Sequence, residues 1–257
     1  MTTPTAFPHR AGRPLVLGHR GASAEAPENT LAAFALAMRG GADGFELDVW
    51  RCGSGEVVVI HDEDTARVAG PSLRVTRTPL SRLGELDVGG WRGSAYRGER
   101  IPRLEEVLAN FPAAVVNVEL KAASLPDPSL ALAVARLVRQ ARAAERVVVS
   151  SFSAGLLAAF RLAAPEIPAG FLVDRRRMWQ LRTALATGLL RPPALHPSLD
   201  LATGDRVRAW MGRGLRLAVW TVDDAAEVER LFGLGVAALI SNAPAAVREA
   251  VGRAAGG

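Results

Sequence analysis

The fold is decided by residues 18–62, which read GHRGASAEAPENTLAAFALAMRGGADGFELDVWRCGSGEVVVIHD. A short apolar run at 15–17 stops at Gly18, so His19 is predicted at the carboxyl end of a buried strand. Residues 30–39 carry apolar side chains at helical spacing, with Asn29 or Thr30 available as the N-cap and two glycines as the stop signal. A strand, a loop and a helix therefore follow one another along the chain.

The next predicted strand, residues 45–49, carries two acids. Side chains alternate across a strand, so Glu46 and Asp48 project from one face, where they repel each other. A cation bound between them removes that repulsion, and oxygen ligands favour Mg²⁺ or Ca²⁺ over a softer metal. Another apolar run, 57–60, delivers His61. Each of these features alone is more often structural, but together they fall at strand ends, where α/β folds carry their sites.

Motifs along the chain carry a family resemblance. They are His-Arg-Gly-Ala at 19–22, Pro-Glu-Asn-Thr at 27–30, Glu-Leu-Asp-Val at 46–49, Val-Val-Val-Ile-His-Asp at 57–62 and Val-Glu-Leu-Lys at 118–121. With later stretches at 149–152, 219–222 and 240–244, the chain resembles the glycerophosphodiester phosphodiesterase family. The resemblance implies an α/β fold, a TIM (β/α)8 barrel with a small insertion after the second strand region, at about 62–102, over the barrel mouth.

The resemblance also implies an activity, the metal-dependent hydrolysis of small-molecule glycerophosphodiesters to sn-glycerol 3-phosphate and an alcohol, in glycerol and lipid metabolism. Glu46, Asp48 and Glu119 would hold one divalent cation, Arg20 and Lys121 would bind phosphate, and His19 and His61 would exchange protons. The glycerol 2-hydroxyl would attack, giving a cyclic phosphate that water opens. Trp220 would offer an apolar wall to the glycerol or the alcohol, although core packing explains it nearly as well. Either histidine could act first as the base.

Composition restricts the remaining function classes. The net charge is +5, but basic residues are scattered except at Arg175–Arg177, and aromatic residues make up only 5% of the chain, so no nucleic-acid partner is expected. No apolar run reaches the roughly 18 residues of a membrane span. Cys52 is the one cysteine, which excludes an intrachain disulfide. We expect a cytoplasmic protein with a flexible lead at 1–13 and a single domain at 14–257.

The pattern of strands and helices beyond residue 100 alternates regularly. Further strands are predicted at 114–120, 147–150, 169–173, 194–196, 215–220 and 236–240, and helices at 101–108, 128–142, 154–162, 178–187, 203–211, 225–232 and 244–253. This gives nine strands, one more than a barrel needs. The strand at 57–60 is either an antiparallel hairpin partner or part of the barrel wall. A doubly wound sheet is the alternative fold, but no G-x-G-x-x-G motif follows the first strand.

Some features leave alternatives open. Ser54-Gly55 and Ser241-Asn242 replace the Asp-Gly and Thr-Asp that the family usually has, which bears on local geometry, and His196 is expected to be structural. A lysophospholipase D-like or phosphoinositide-type cyclising phosphodiesterase would use the same residues on a lipid, but no amphipathic membrane helix is evident. A catalytically silent barrel is disfavoured, because the predicted histidines and acids are all present.

Overall fold

The computed structural model describes residues 8–123, 127–177 and 194–256. Its strands are β1 (Leu15–His19), β2 (Gly44–Arg51), β3 (Val57–Val59), β4 (Val115–Leu120), β5 (Val147–Ser151), β6 (Ala169–Val173), β7 (Ala194–Pro197), β8 (Arg216–Trp220) and β9 (Ala238–Ser241). All except β3 pair in parallel, in the order β1-β9-β8-β7-β6-β5-β4-β2, and β1 also pairs with β2. The eight strands therefore close into a barrel, which confirms the predicted TIM fold.

The strand that is not part of the barrel, β3, forms a hairpin with β2 on the barrel rim. The first half of β2 pairs with β1, up to the partners His19 and Glu46, where β1 ends. The last residues of β2 extend past that end and pair with β3 in antiparallel register, from Val49 opposite Val59. Of the two alternatives left by the sequence, the structure therefore takes the hairpin. Its turn contains Gly55 at φ +107°, a conformation that favours glycine.

Helices cover the outside of the barrel, and short helices also occur in the insertion. They are α1 (Leu31–Arg39), α2 (Ala66–Ala69), α3 (Leu80–Leu83), α4 (Leu104–Asn110), α5 (Pro128–Gln140), α6 (Ala154–Ala163), α7 (Gly204–Met211), α8 (Ala225–Leu234) and α9 (Pro244–Gly256). Thr30 is the N-cap of α1, since its hydroxyl accepts a hydrogen bond from the Ala33 amide. The helix predicted at 178–187 lies outside the described residues.

The insertion has an apolar core of its own. Residues of the hairpin, including Trp50, Val58 and Ile60, pack against Val68 of α2 and Leu83 of α3. A long connection within a compact fold needs such a cluster to hold one conformation. The insertion is therefore fixed against the hairpin that bears His61.

The barrel interior divides into two levels. An apolar cluster fills the interior from the amino ends of the strands to about their middle; it consists of Leu15, Leu17, Val148, Ala194, Ala218, Ala238 and Ile240. Polar side chains follow further along the same strands, at their carboxyl ends. At the amino end of β1, Arg10 and Arg13, which fall within the predicted lead, pair with Asp43. None of the helices in the described part of the chain is long and apolar enough to cross a membrane.

Candidate active site

A cavity of about 120 Å³ opens at the carboxyl ends of the barrel strands. Its walls contain seven of the eight predicted site residues, namely His19, Arg20, Glu46, His61, Glu119, Lys121 and Trp220, together with Asn117, Phe152, Leu172 and Ile240. The eighth, Asp48, is 1% exposed and contacts Lys121. The barrel therefore brings the whole predicted set together.

Strand register places the three predicted metal ligands side by side. Glu46 lies opposite His19 across β1 and β2, and Asp48 lies opposite Glu119 across β2 and β4. Each of the three carboxylates is buried, and one oxygen from each lies within 4.8 Å of the others. Three carboxylate oxygens form a donor set suited to a hard divalent cation.

The charges around these carboxylates are not balanced. Burial, reinforced by Asp48 and Glu119, raises the pKa of Glu46 well above its ordinary value. Burial likewise raises the pKa of Glu119 to about 7, although Lys121 opposes it. Burial opposes ionisation of Asp48 too, but Lys121 and Arg20 outweigh it and lower the pKa of that group. Two cations thus face three buried acids, and the cluster fits an additional positive charge.

Two cationic side chains border the carboxylates. The Lys121 ammonium lies 3.0 Å from Asp48 Oδ1 and 2.9 Å from Glu119 Oε1. Arg20 has φ +55°, and its backbone N–H donates to Glu46 Oε2 at 3.1 Å. Its Nε lies 3.2 Å from Asp48 Oδ2 without the orientation of a hydrogen bond, while Nη1 donates to Glu28 Oε1 at 2.9 Å. Both cations are therefore held at the cavity edge.

Residues of the Pro-Glu-Asn-Thr motif complete this arrangement. The Asn29 amide donates to Asp48 Oδ2 at 2.8 Å, and Glu28 binds Arg20. Arg67 of α2 also binds both Glu28 oxygens, and it donates to Asp62 at 2.6 Å. The motif was recognised in the sequence, but these positioning contacts were not, because they depend on how the loops after β1 and β3 meet.

Both histidines use the same ring nitrogen, Nδ1, in a hydrogen bond. His19 Nδ1 lies 2.7 Å from Asn242 Oδ1, and the Asn242 amide nitrogen donates to Asp223. The amide orientation therefore leaves an oxygen facing His19, so Nδ1 carries the proton. His61 Nδ1 lies 2.7 Å from Asp62 Oδ1. In each ring Nε2 is the nitrogen left for a further contact.

Burial also determines the protonation of these rings. It lowers the pKa of His19, with the Arg20 charge acting in the same direction. It lowers the pKa of His61 as well, against the opposing charge of Asp48. Both rings therefore favour the neutral form near pH 7, in which imidazole accepts a proton.

An aromatic pair forms the opposite wall of the cavity. Trp220 contacts Phe152 edge to face, with ring centroids 5.7 Å apart, and its indole N–H donates to the His196 carbonyl. Phe152 was not among the predicted site residues, although it is the last residue of the recognised stretch at 149–152. The His196 side chain is fully buried and does not line the cavity, in keeping with its expected structural place.

Comparisons with known proteins agree with this geometry. The model of the glycerophosphoryl diester phosphodiesterase family matches residues 19–246. A glycerophosphodiester phosphodiesterase of Caldanaerobacter subterraneus is 34% identical over 90% of this chain and 94% of that protein. A glycerophosphodiester phosphodiesterase of Bacillus altitudinis is 30% identical over 89% of this chain and 94% of that protein.

Solved structures give the same result. A phosphodiesterase of Oleispira antarctica, in complex with the product sn-glycerol-3-phosphate, aligns with a TM-score of 0.83 and 28% identity, over 93% of this chain and 97% of that one. A glycerophosphodiester phosphodiesterase of Agrobacterium tumefaciens aligns with a TM-score of 0.77 and 28% identity, over 91% and 99%.

Proposed function

The chain belongs to the glycerophosphoryl diester phosphodiesterase family and is a phosphoric diester hydrolase, and we propose that it releases sn-glycerol 3-phosphate in a reaction that depends on a divalent cation and two histidines. One observation carries the proposal. Three buried carboxylates, two cationic side chains and two histidines converge on one cavity at the carboxyl end of the barrel.

The carboxylates Glu46, Asp48 and Glu119 would hold the cation, and Mg²⁺ or Ca²⁺ fits their oxygen donors. A bound divalent cation supplies positive charge that offsets the negative charge of the phosphodiester and of the developing leaving oxygen. The raised pKa values of Glu46 and Glu119 support this proposal, since they indicate buried acids without enough compensating charge.

Arg20 and Lys121 would bind the phosphate oxygens. Lys121 has three N–H donors, and the carboxylates of Asp48 and Glu119 account for two of them. The third is left for a phosphate oxygen. Because both cations are anchored by acids, they meet the anion in a fixed position, which favours stabilisation of the transition state.

His19 and His61 would divide the proton transfers. One ring, in its neutral form, takes the proton of the glycerol 2-hydroxyl as that oxygen bonds to phosphorus. The other ring must enter the step protonated, a form that the anionic phosphodiester favours when it is bound, and it gives its proton to the alcohol oxygen as the bond between that oxygen and phosphorus breaks. Water then opens the cyclic phosphate with the roles reversed, and sn-glycerol 3-phosphate leaves. Trp220 and Phe152 would enclose the apolar carbons of the substrate.

The test measures sn-glycerol 3-phosphate release from glycerophosphocholine and glycerophosphoethanolamine, with Mg²⁺, Ca²⁺ or a chelator. We expect release that requires a cation and falls at least about 100-fold in His19→Ala and His61→Ala. His9→Ala is the matched control, because His9 is an exposed histidine outside the site. Release that survives the chelator, or that persists in both site variants, would contradict the proposal. Lysophosphatidylcholine in the same assay tests the lipid alternative.

A further inference from the structure

Asn117 forms part of the cavity wall without any assigned role. It lies on β4, two residues before Glu119, and its register partner on β2 is Glu46. The residue is 2% exposed, and its side chain borders the cavity. Neither Oδ1 nor Nδ2 has a hydrogen-bond partner among the described residues.

Such a side chain requires an explanation. Most buried amides are hydrogen-bonded, because an amide that is removed from water without a partner destabilises the folded chain. The register partner of Asn117 on β5 is Val148, and the interior cluster nearby is apolar. On the other side Glu46 is its register partner, and it makes no hydrogen bond to the Asn117 amide either, which indicates that the amide serves a ligand.

We propose that Asn117 binds the hydroxyl groups of the substrate's glycerol and thereby selects for glycerol over smaller or deoxygenated alcohols. This inference rests on the proposed function. An amide offers one acceptor and two donors, whereas a phosphate dianion offers only acceptors and would leave Oδ1 unpaired. A hydroxyl both donates and accepts, so a polyol satisfies both ends of the Asn117 side chain.

The depth of Asn117 in the barrel supports a contact with the glycerol end of the substrate and not with its phosphate. The Lys121 ammonium lies beside Glu119, 2.9 Å from its Oε1, and Asn117 precedes Glu119 by two residues, or roughly 7 Å along a strand. When the phosphate is bound by Lys121 and Arg20, the substrate group nearest Asn117 is the glycerol that points into the barrel. The cavity of about 120 Å³ suits a small polyol there, while an acyl chain would have to lie outside.

The experiment compares glycerophosphocholine with 2-hydroxypropyl phosphocholine. The second compound lacks the terminal hydroxyl but keeps the 2-hydroxyl that the proposed reaction needs. We expect the wild-type enzyme to prefer glycerophosphocholine by about tenfold or more in kcat/KM, because the analogue leaves a buried amide unpaired. In Asn117→Ala and Asn117→Leu that preference should disappear, mainly through KM, because the variants lose more kcat/KM on glycerophosphocholine than on the analogue. Asn110→Ala on α4 is the matched control, since Asn110 is exposed.

The outcomes separate this inference from the proposed function. Equal losses on both substrates in the Asn117 variants would assign the residue a structural role and overturn the inference, as would a wild-type enzyme without preference. If neither diester is cleaved, the proposed function fails. Calorimetric measurement of the binding of sn-glycerol 3-phosphate and of 2-hydroxypropyl phosphate then still tests Asn117. A binding preference that the Asn117 variants lose supports the inference, and equal binding by the wild-type protein overturns it.

Discussion

Asn242 determines which nitrogen of His19 carries the proton. Its amide nitrogen donates to Asp223 Oδ2 at 2.7 Å, and its backbone N–H donates to Asp223 Oδ1 at 2.8 Å. The amide oxygen is thereby aimed at His19 Nδ1, with the Ser23 hydroxyl donating to the same oxygen at 3.0 Å. A neutral partner fixes the tautomer of His19 without adding a negative charge beside the ring.

This arrangement predicts two separable effects. Asn242→Ala should lower kcat by about 10- to 100-fold with little change in KM, because the ring loses its fixed tautomer. Asn242→Asp keeps an acceptor but adds a negative charge, which raises the pKa of His19 and should move one limb of the kcat–pH profile to higher pH. The measurement is that profile for both variants, with Asn110→Asp as the control. Profiles identical to the wild type would contradict this role.

At the scale of single residues, motifs predicted the side chains and not their partners. The predicted ligands, bases and cations all reached the cavity or its edge. All except His61 lie on the parallel strands or directly after them, and these strands end on one side of the barrel; the antiparallel β3 ends just before His61 at the same rim. Asn242 and His19 are 223 residues apart, and they meet only because β9 pairs with β1 when the barrel closes. No local pattern in the sequence predicts that contact.

At the scale of elements, the hairpin of β2 and β3 connects the insertion to the site. Its apolar run at 57–60 was compatible with a barrel strand, since length and hydrophobicity do not distinguish the two placements. The difference lies in β1, which ends at His19 and leaves the last residues of β2 without a parallel neighbour on that side. The missing parallel partner of β2 depends on where both β1 and β2 end, so neither segment of the sequence shows it alone.

Arg67 on α2 is one of the polar links between the insertion and the barrel, and it tests this connection. It binds Asp62, the partner of His61, and Glu28, the partner of Arg20. Arg67→Ala should lower kcat/KM by about tenfold or more, with a stability loss under about 1 kcal/mol because the side chain is half exposed. Arg67→Lys should restore activity only in part, since one ammonium does not replace a planar, multidentate guanidinium.

Arg82→Ala provides the comparison for Arg67. Arg82 lies on α3 of the same insertion and pairs with Glu85, away from both histidines. Its loss should leave kcat/KM unchanged. Steady-state rates and thermal melts of the three variants decide the matter, and an Arg67→Ala enzyme with wild-type kcat/KM would show that the insertion does not position the site.

At the scale of the whole molecule, the closed barrel buries polar groups that an open sheet would expose to water. His196 on β7 is fully buried, and its ring packs so closely on β6 that a Cβ added to Gly170 would lie 2.2 Å from Nε2. The sequence predicted a structural histidine here without this packing, because β6 and β7 become neighbours only in the barrel. The absence of a side chain at position 170 therefore makes room for the ring.

Burial of His196 makes the stability of the whole barrel sensitive to acid. Removal from water lowers the pKa of His196 to about 3, against about 6.5 in an unfolded chain. Between these values the unfolded chain binds a proton that the folded chain excludes, so the free energy of unfolding should fall by about 1.4 kcal/mol for each pH unit below about 6. Urea unfolding of the wild type and of His196→Asn from pH 7 to pH 4 measures how much His196 contributes to the pH dependence of the free energy of unfolding. The variant should lack that part of the slope, whereas His9→Asn should keep it because His9 is exposed. Equal slopes in the wild type and His196→Asn would mean that the ring takes up its proton without opening the barrel.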